Sequence, residues 1–199
     1  MQLWEIFLAG GHVMWVLLAC SIFAVMVGVQ RIHYFTRVGI SKAEESELTE
    51  LLRNKEWGGA LAASQNNPSS MSQALVRSLR ISEPKLREVT YEGAATTLIH
   101  RMGEGLQYLD TIVTLSPLLG LLGTVLGMIQ SFQVLAVKEG QMDVITGGVA
   151  EALIATAFGL IVAVLALCFH SYLSFRMERI ATTLEEWGNL LQDTSEYRL

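Results

Sequence analysis

The chain has 199 residues, 51% of them hydrophobic, with 14 Lys and Arg set against 19 Asp and Glu for a formal charge of −5. A mean hydropathy of +0.40 is too apolar for an ordinary soluble domain, and polar stretches interrupt it too evenly for a bundle of packed spans alone. The acidic balance, with no basic stripe, argues against nucleic acid as a partner.

Charged residues are missing from three stretches, 6–30, 111–137 and 152–175, which run 24 to 27 residues each. Roughly 20 helical residues cross a hydrocarbon core of about 30 Å, so each stretch is long enough to span with some tilt. The first is read as an uncleaved span, because only Glu5 precedes it as a charge where a secretory signal carries basic residues. Cys20 and Cys168 fall inside spans, where small apolar packing is their default role.

Basic residues near span ends mark the cytoplasmic side. Arg31, Arg37 and Lys42 follow the first span, Arg101 precedes the second, and Arg176 and Arg179 follow the third, against Lys138 alone between the second and third. The expected fold is therefore all-α: an integral membrane protein with three transmembrane helices, two of them extended into the cytoplasm, N-terminus outside and C-terminus inside. The expected divisions are residues 1–36 for the outer N-terminus and first span, 37–107 for a cytoplasmic helical segment and 108–137 for the second span. A link over 138–147, a third span over 148–175 and a cytoplasmic C-terminal helix over 176–199 complete the layout.

In the cytoplasmic segment, Leu48, Leu51 and Leu52 keep a helical period among many charges, and Met71, Leu75 and Leu79 mark a second apolar stripe. Gly58-Gly59 and the run 66–70 read as breaks, and Ser82 as a cap with Pro84 in the first turn of the next helix. From there to Ser116 one long helix is expected, against the cost of Gly93, Gly103 and Gly105. Met177, Ile180, Ala181, Leu184 and Leu191 carry an apolar period beyond the third span.

Small residues line one face of the second span (Ser116, Gly120, Gly123, Thr124, Gly127, Ser131) and of the third (Gly148, Ala152, Ala155, Gly159, Ala163, Ala166). Such stripes let membrane helices approach closely, and they suit either plain packing or a lining surface. Thr124 and Thr156 place hydroxyls in that background, where each either bonds its own backbone or contacts a water or proton path. Glu151 opens the third uncharged stretch. Helix-dipole stabilisation and a functional carboxylate at membrane depth are both open readings of it.

No Asp, Glu, Lys, Arg or His lies at the centre of any span, since His12 and His170 sit toward the ends. A proton path across the membrane needs a protonatable relay, so a partner must supply the carboxylate if this chain conducts protons. The dispersed His12, His33, His100 and His170 show no metal-ligand spacing, and no glycine-rich phosphate loop or activated nucleophile is evident. Neither an enzyme, a metal nor a cofactor is indicated.

Residues 116–129, Ser-Pro-Leu-Leu-Gly-Leu-Leu-Gly-Thr-Val-Leu-Gly-Met-Ile, and 148–160, Gly-Val-Ala-Glu-Ala-Leu-Ile-Ala-Thr-Ala-Phe-Gly-Leu, resemble the hallmark motifs of the MotA/TolQ/ExbB proton-channel family. The three-span layout resembles ExbB and TolQ chains, and residues 10–15, Gly-Gly-His-Val-Met-Trp, resemble ExbB more than TolQ. The resemblance implies a homopentamer in the bacterial inner membrane whose second and third spans line a pore. Within it would sit a single-span ExbD- or TolR-like partner bearing a membrane aspartate, with work passed to a TonB- or TolA-like protein. It implies Thr124, Thr156 and Glu151 as pore-facing polar residues. The expected function is a proton-motive-force-driven motor subunit energising TonB-dependent import; a TolQ-like role in envelope integrity and a membrane scaffold without proton coupling are the alternatives.

Overall fold

The computed structural model describes residue 7 and residues 10–137 and 142–192, with the side chains of 134–137 and 142–146 left undescribed. Lys138, the charge expected on the outer side, lies outside them. The described residues form an all-α chain of seven helices: α1 Val13–Val38, α2 Lys42–Arg53, α3 Trp57–Gln65, α4 Ser70–Leu79, α5 Pro84–Gly103, α6 Leu106–Val137 and α7 Met142–Gln192. Segments within Val13–Val38, Pro84–Gln133 and Gly147–Gln192 are long and apolar enough to cross a membrane.

The chain divides into two compact units, Met1–Val29 with Gln107–Ser171, and Gln30–Leu106 with Tyr172–Leu199. The first, apolar unit is built from the largely uncharged parts of α1, α6 and α7. In hydrocarbon every backbone group must be satisfied within the segment, which makes helix the available form. Its interior is largely small: Ala24, Ser116, Ser131, Ala152, Ala155, Ala163 and Ala166 are buried, joined by Met14, Leu17, Val27, Leu109, Ile112 and Val162. Large side chains such as Ile22, Leu118, Phe132, Leu153 and Ile161 are exposed. That inversion suits a surface facing lipid or further protein rather than water.

The second, polar unit packs more conventionally. Leu48 and Leu52 of α2, Met71, Leu75 and Leu79 of α4, and Ile180, Leu184, Trp187 and Leu191 of α7 are buried. Helix α4 starts on Ser69, whose hydroxyl accepts from Ser72 N–H at 3.1 Å. Polar contacts a turn apart fasten α2 to α7. Thr183 donates to Glu45 Oε1 at 2.7 Å, Arg179 lies 3.5 Å from Glu45 Oε2, and Trp187 Nε1 donates to Thr49 Oγ1 at 2.9 Å. The exposed Arg53–Glu186 pair at 3.2 Å adds little, because solvent screens it. From α5, Tyr91 donates to Leu184 O at 3.0 Å.

Several boundaries depart from the sequence reading. The break after α2 falls at Lys55, whose φ of +60° closes a Schellman turn in which Glu56 N bonds Leu51 O at 2.9 Å and Lys55 N bonds Leu52 O at 3.1 Å. Gly58 and Gly59 instead lie in the first turn of α3. Glu83, not Ser82, is the N-cap of α5, with Pro84 directly after it. The expected single helix from Pro84 into the second span is interrupted at Glu104-Gly105, where Arg31 packs so closely on Gly105 that a Cβ there would meet its guanidinium. Arg31 Nη1 also donates to Arg101 O at 3.0 Å, capping a carbonyl of the last turn of α5. Helix α7 begins at Met142, inside the stretch expected as a link.

Burial pushes the Tyr91 phenol far above its ordinary range. A folded pKa raised above the unfolded one stabilises fully below the unfolded value, about 10 for Tyr, and the gain is lost as pH rises above it. Tyr91→Phe should cost about 1 kcal/mol at neutral pH through the lost hydrogen bond. Thermal unfolding in detergent should then show this deficit shrinking as the pH is raised past about 10.

Candidate functional site

The candidate site is the seam between α6 and α7 in the apolar unit. Glycine is required there because backbone meets backbone. A Cβ on Gly159 would stand 2.6 Å from Ser116 O and 3.0 Å from Gly120 Cα, and one on Gly120 would stand 3.0 Å from Thr156 Cα. Further along, Gly123 faces Ala155, Gly127 faces Ala152 and the Gly148 carbonyl, and Gly148 faces the Ser131 hydroxyl. Ala152, Ala155 and Ala163 are buried along the same line of α7. Seven of the eight residues expected to pack helices meet across the seam and Ala163 is buried further along α7; close approach replaces the hydrophobic drive that lipid cannot supply.

The two threonines occupy different places. Thr156 donates across the seam to Gly120 O at 3.0 Å, so its hydroxyl ties α7 to the backbone of α6. Thr124 donates within its own helix to Leu121 O at 2.6 Å and is half-buried at the margin of the seam. With their protons committed, both hydroxyls have only acceptor capacity left. Such groups complement a donor, meaning a water or a protonated carboxylic acid, and repel a carboxylate.

Glu151 is half-buried and stands apart from both threonines in its contacts. Its carboxylate lies against Gly11, in the turn that opens α1, so that a Cβ on Gly11 would collide with Oε1; Gly11 also has a φ of +70°. This arrangement ties the first span to the start of the third, and it was invisible in spacing because residues 11 and 151 are far apart in sequence. Gly-Gly before an apolar helix was the available signal for a tight turn, though not for its neighbour.

Two other features of α6 bear on the site. Pro117 sits inside the helix and removes the N–H that the Val113 carbonyl would accept. Beside it the Ser116 hydroxyl is buried with no hydrogen-bond partner among the described residues. The bare faces of both spans are otherwise leucine, valine, isoleucine and phenylalanine, among them Leu121, Val125, Ile129, Leu160 and Val164. Among the described residues no group of three or more His, Cys, Asp or Glu could hold a metal ion.

The model of the MotA/TolQ/ExbB proton channel family matches residues 63–186, a stretch that includes both spans of the seam. The chain is 28% identical over 190 residues to a putative biopolymer transport protein, ExbB-like 3, of Synechocystis, covering 92% of this chain and 90% of that one. A putative ExbB homologue of Methanothermobacter thermautotrophicus is 30% identical over 198 residues, 92% and 69% of the two chains. The Tol-Pal system protein TolQ of Haemophilus influenzae is 37% identical over 87 residues, 43% and 37% of the two chains.

Gly159→Ala should force α6 and α7 apart and lower the melting temperature of the detergent-extracted protein. Gly93→Ala, in open space within a helix, should raise stability by about 0.5–1 kcal/mol. Ser116→Ala removes an unpaired buried hydroxyl and should be neutral or stabilising. Equal effects of the two glycine substitutions would contradict the close-approach account.

Proposed function

The chain belongs to the MotA/TolQ/ExbB proton channel family, and on that premise we propose that it is the multi-copy half of a proton-driven motor of ExbB type, energising import across an outer membrane. Members of this family are transport-energising channel proteins and not enzymes, and the chain is a multi-pass protein of the bacterial inner membrane. The proposal adds the N-out orientation, a pentamer lined by the spans of α6 and α7, and a single-span ExbD- or TolR-like partner whose membrane aspartate carries the proton. A TonB- or TolA-like protein receives the work.

One observation carries this reading: the seam presents acceptor-only hydroxyls at Thr124 and Thr156 on spans with no carboxylate at their centre. A carboxylic acid that arrives protonated can donate to such a hydroxyl, whereas its ionised form has nothing to accept from there. The pair of states therefore interacts unequally with the wall, which is what proton-coupled movement requires. In this reading Glu151, near the end of its span, handles protons at the outer mouth rather than mid-membrane.

The TolQ-like duty in envelope integrity shares this chemistry, and the TolQ relative favours keeping it as the second reading. Deletion separates the two: loss of energised uptake marks the first, and detergent sensitivity without an uptake defect marks the second.

Thr156→Val keeps the shape but removes the hydroxyl. It should lower proton-motive-force-dependent uptake by about tenfold or more, equivalent to about 1.4 kcal/mol on the coupled step, while the assembly keeps its mass and Thr156→Ser retains function. Glu151→Ala should lower energised uptake, and Gly11→Ala, by dislodging the Glu151 carboxylate, should do the same. Full uptake in an assembled Thr156→Val protein would remove Thr156 from the path.

A further inference from the structure

We propose that a cationic pocket in the polar unit, between Lys42 at the start of α2 and Arg176 and Arg179 on α7, seats the phosphate of an anionic phospholipid head group. The cavity is about 260 Å³, and its walls include those three cations, Glu45, Met71 and Ile180. That volume is below the roughly 300–1,000 Å³ of sites that enclose drug-sized ligands, and it suits a small charged group.

Charge accounting favours an anion. Glu45 is the one acid among the lining residues, and it is already engaged by the Thr183 hydroxyl at 2.7 Å and by Arg179 at 3.5 Å. Among the described residues, Lys42 and Arg176 have no hydrogen-bond or ion-pair partner for their side chains. The site does not rest on the start of α2, since Ser41 N–H is taken by the Glu44 carboxylate at 2.9 Å. Met71 and Ile180 are buried and offer an apolar floor against which the glycerol carbons of a lipid can lie.

Position along the chain selects a lipid over a soluble phosphate. Arg176 is the first charge after the uncharged stretch 152–175. Just before it, Tyr172 and Phe175 are 52% and 67% exposed, the pattern of aromatic residues at the membrane–water boundary. Basic pockets at that level on the cytoplasmic side are where anionic head groups collect. The assignment of this side to the cytoplasm rests on the orientation proposed above.

The test uses the full chain extracted in mild detergent and examined by native mass spectrometry after addition of phosphatidylglycerol, phosphatidylcholine or inorganic phosphate. Phosphatidylglycerol should be retained in preference to phosphatidylcholine. The double variant K42Q/R176Q should weaken that retention by about fivefold for each charge removed, and the charge-preserving pair Lys42→Arg and Arg176→Lys should restore it. Among the described residues neither side chain has a partner to lose, and an unchanged melting temperature checks that the double variant is folded. Equal retention of the two lipids, or retention unaffected by the double variant, overturns the proposal. Phosphate binding without lipid that the variant abolishes would make this a soluble-anion site. Dissociation of the oligomer with lipid retention unchanged would make it a subunit contact, and either result also overturns it. Proton coupling does not enter the readout, so failure here is distinguishable from failure of the motor reading.

Discussion

Everything in the apolar unit depends on two helix backbones being allowed to touch. With Gly159 against the Ser116 carbonyl and Gly120 against Thr156, α6 and α7 approach to a separation that any side chain would forbid. Close packing then supplies the cohesion that burial supplies in water. The same approach brings the Thr156 hydroxyl within 3.0 Å of Gly120 O, a bond that a wider seam would break. Because the seam consumes only the small residues, the broad leucine, valine and phenylalanine faces of both spans stay uncovered, available to lipid and to other chains.

Helix α7 carries both kinds of chemistry in one run of 51 residues. Its uncharged half supplies the alanines and glycines of the seam. Its charged half supplies Thr183, Trp187 and the Leu184 carbonyl, which bond Glu45, Thr49 and Tyr91 respectively. These contacts in the polar unit are side-chain hydrogen bonds at helical spacing laid over a leucine core, the ordinary means by which water-exposed helices are held. The apolar unit makes sparing use of those means beyond the Thr156 bond to Gly120 O, since each unpaired polar group in hydrocarbon costs several kcal/mol. It substitutes glycine.

The spans and the small-residue stripes were legible in the sequence because both are periodic. Charge absence over 24 to 27 residues and small residues three, four or seven apart leave little choice of element or face. The apolar positions of α2, α4 and the end of α7 followed for the same reason. Trp187 escaped notice, although it is fully buried, because it stands among charged neighbours and its indole N–H finds Thr49 only in three dimensions. Breaks were less legible. Lys55 adopts the left-handed conformation that glycine usually takes, while Gly58 and Gly59 are helical, so a composition rule placed the turn three residues late. The two threonines looked equivalent, and only the fold separates the one that crosses the seam from the one that bonds its own turn. The Glu151–Gly11 approach joins distant segments and has no local signature at all.

The central proposal is that this chain shapes a proton path but does not carry the proton through mid-membrane, for want of a carboxylate at the centre of its spans. The most direct test is proton flux into liposomes containing the purified chain alone or with the single-span partner proposed for it. The account predicts no flux above lipid background for the chain alone, flux when the partner is present, and its loss when the partner's membrane carboxyl is replaced by an amide. Sustained flux through the chain by itself would contradict it.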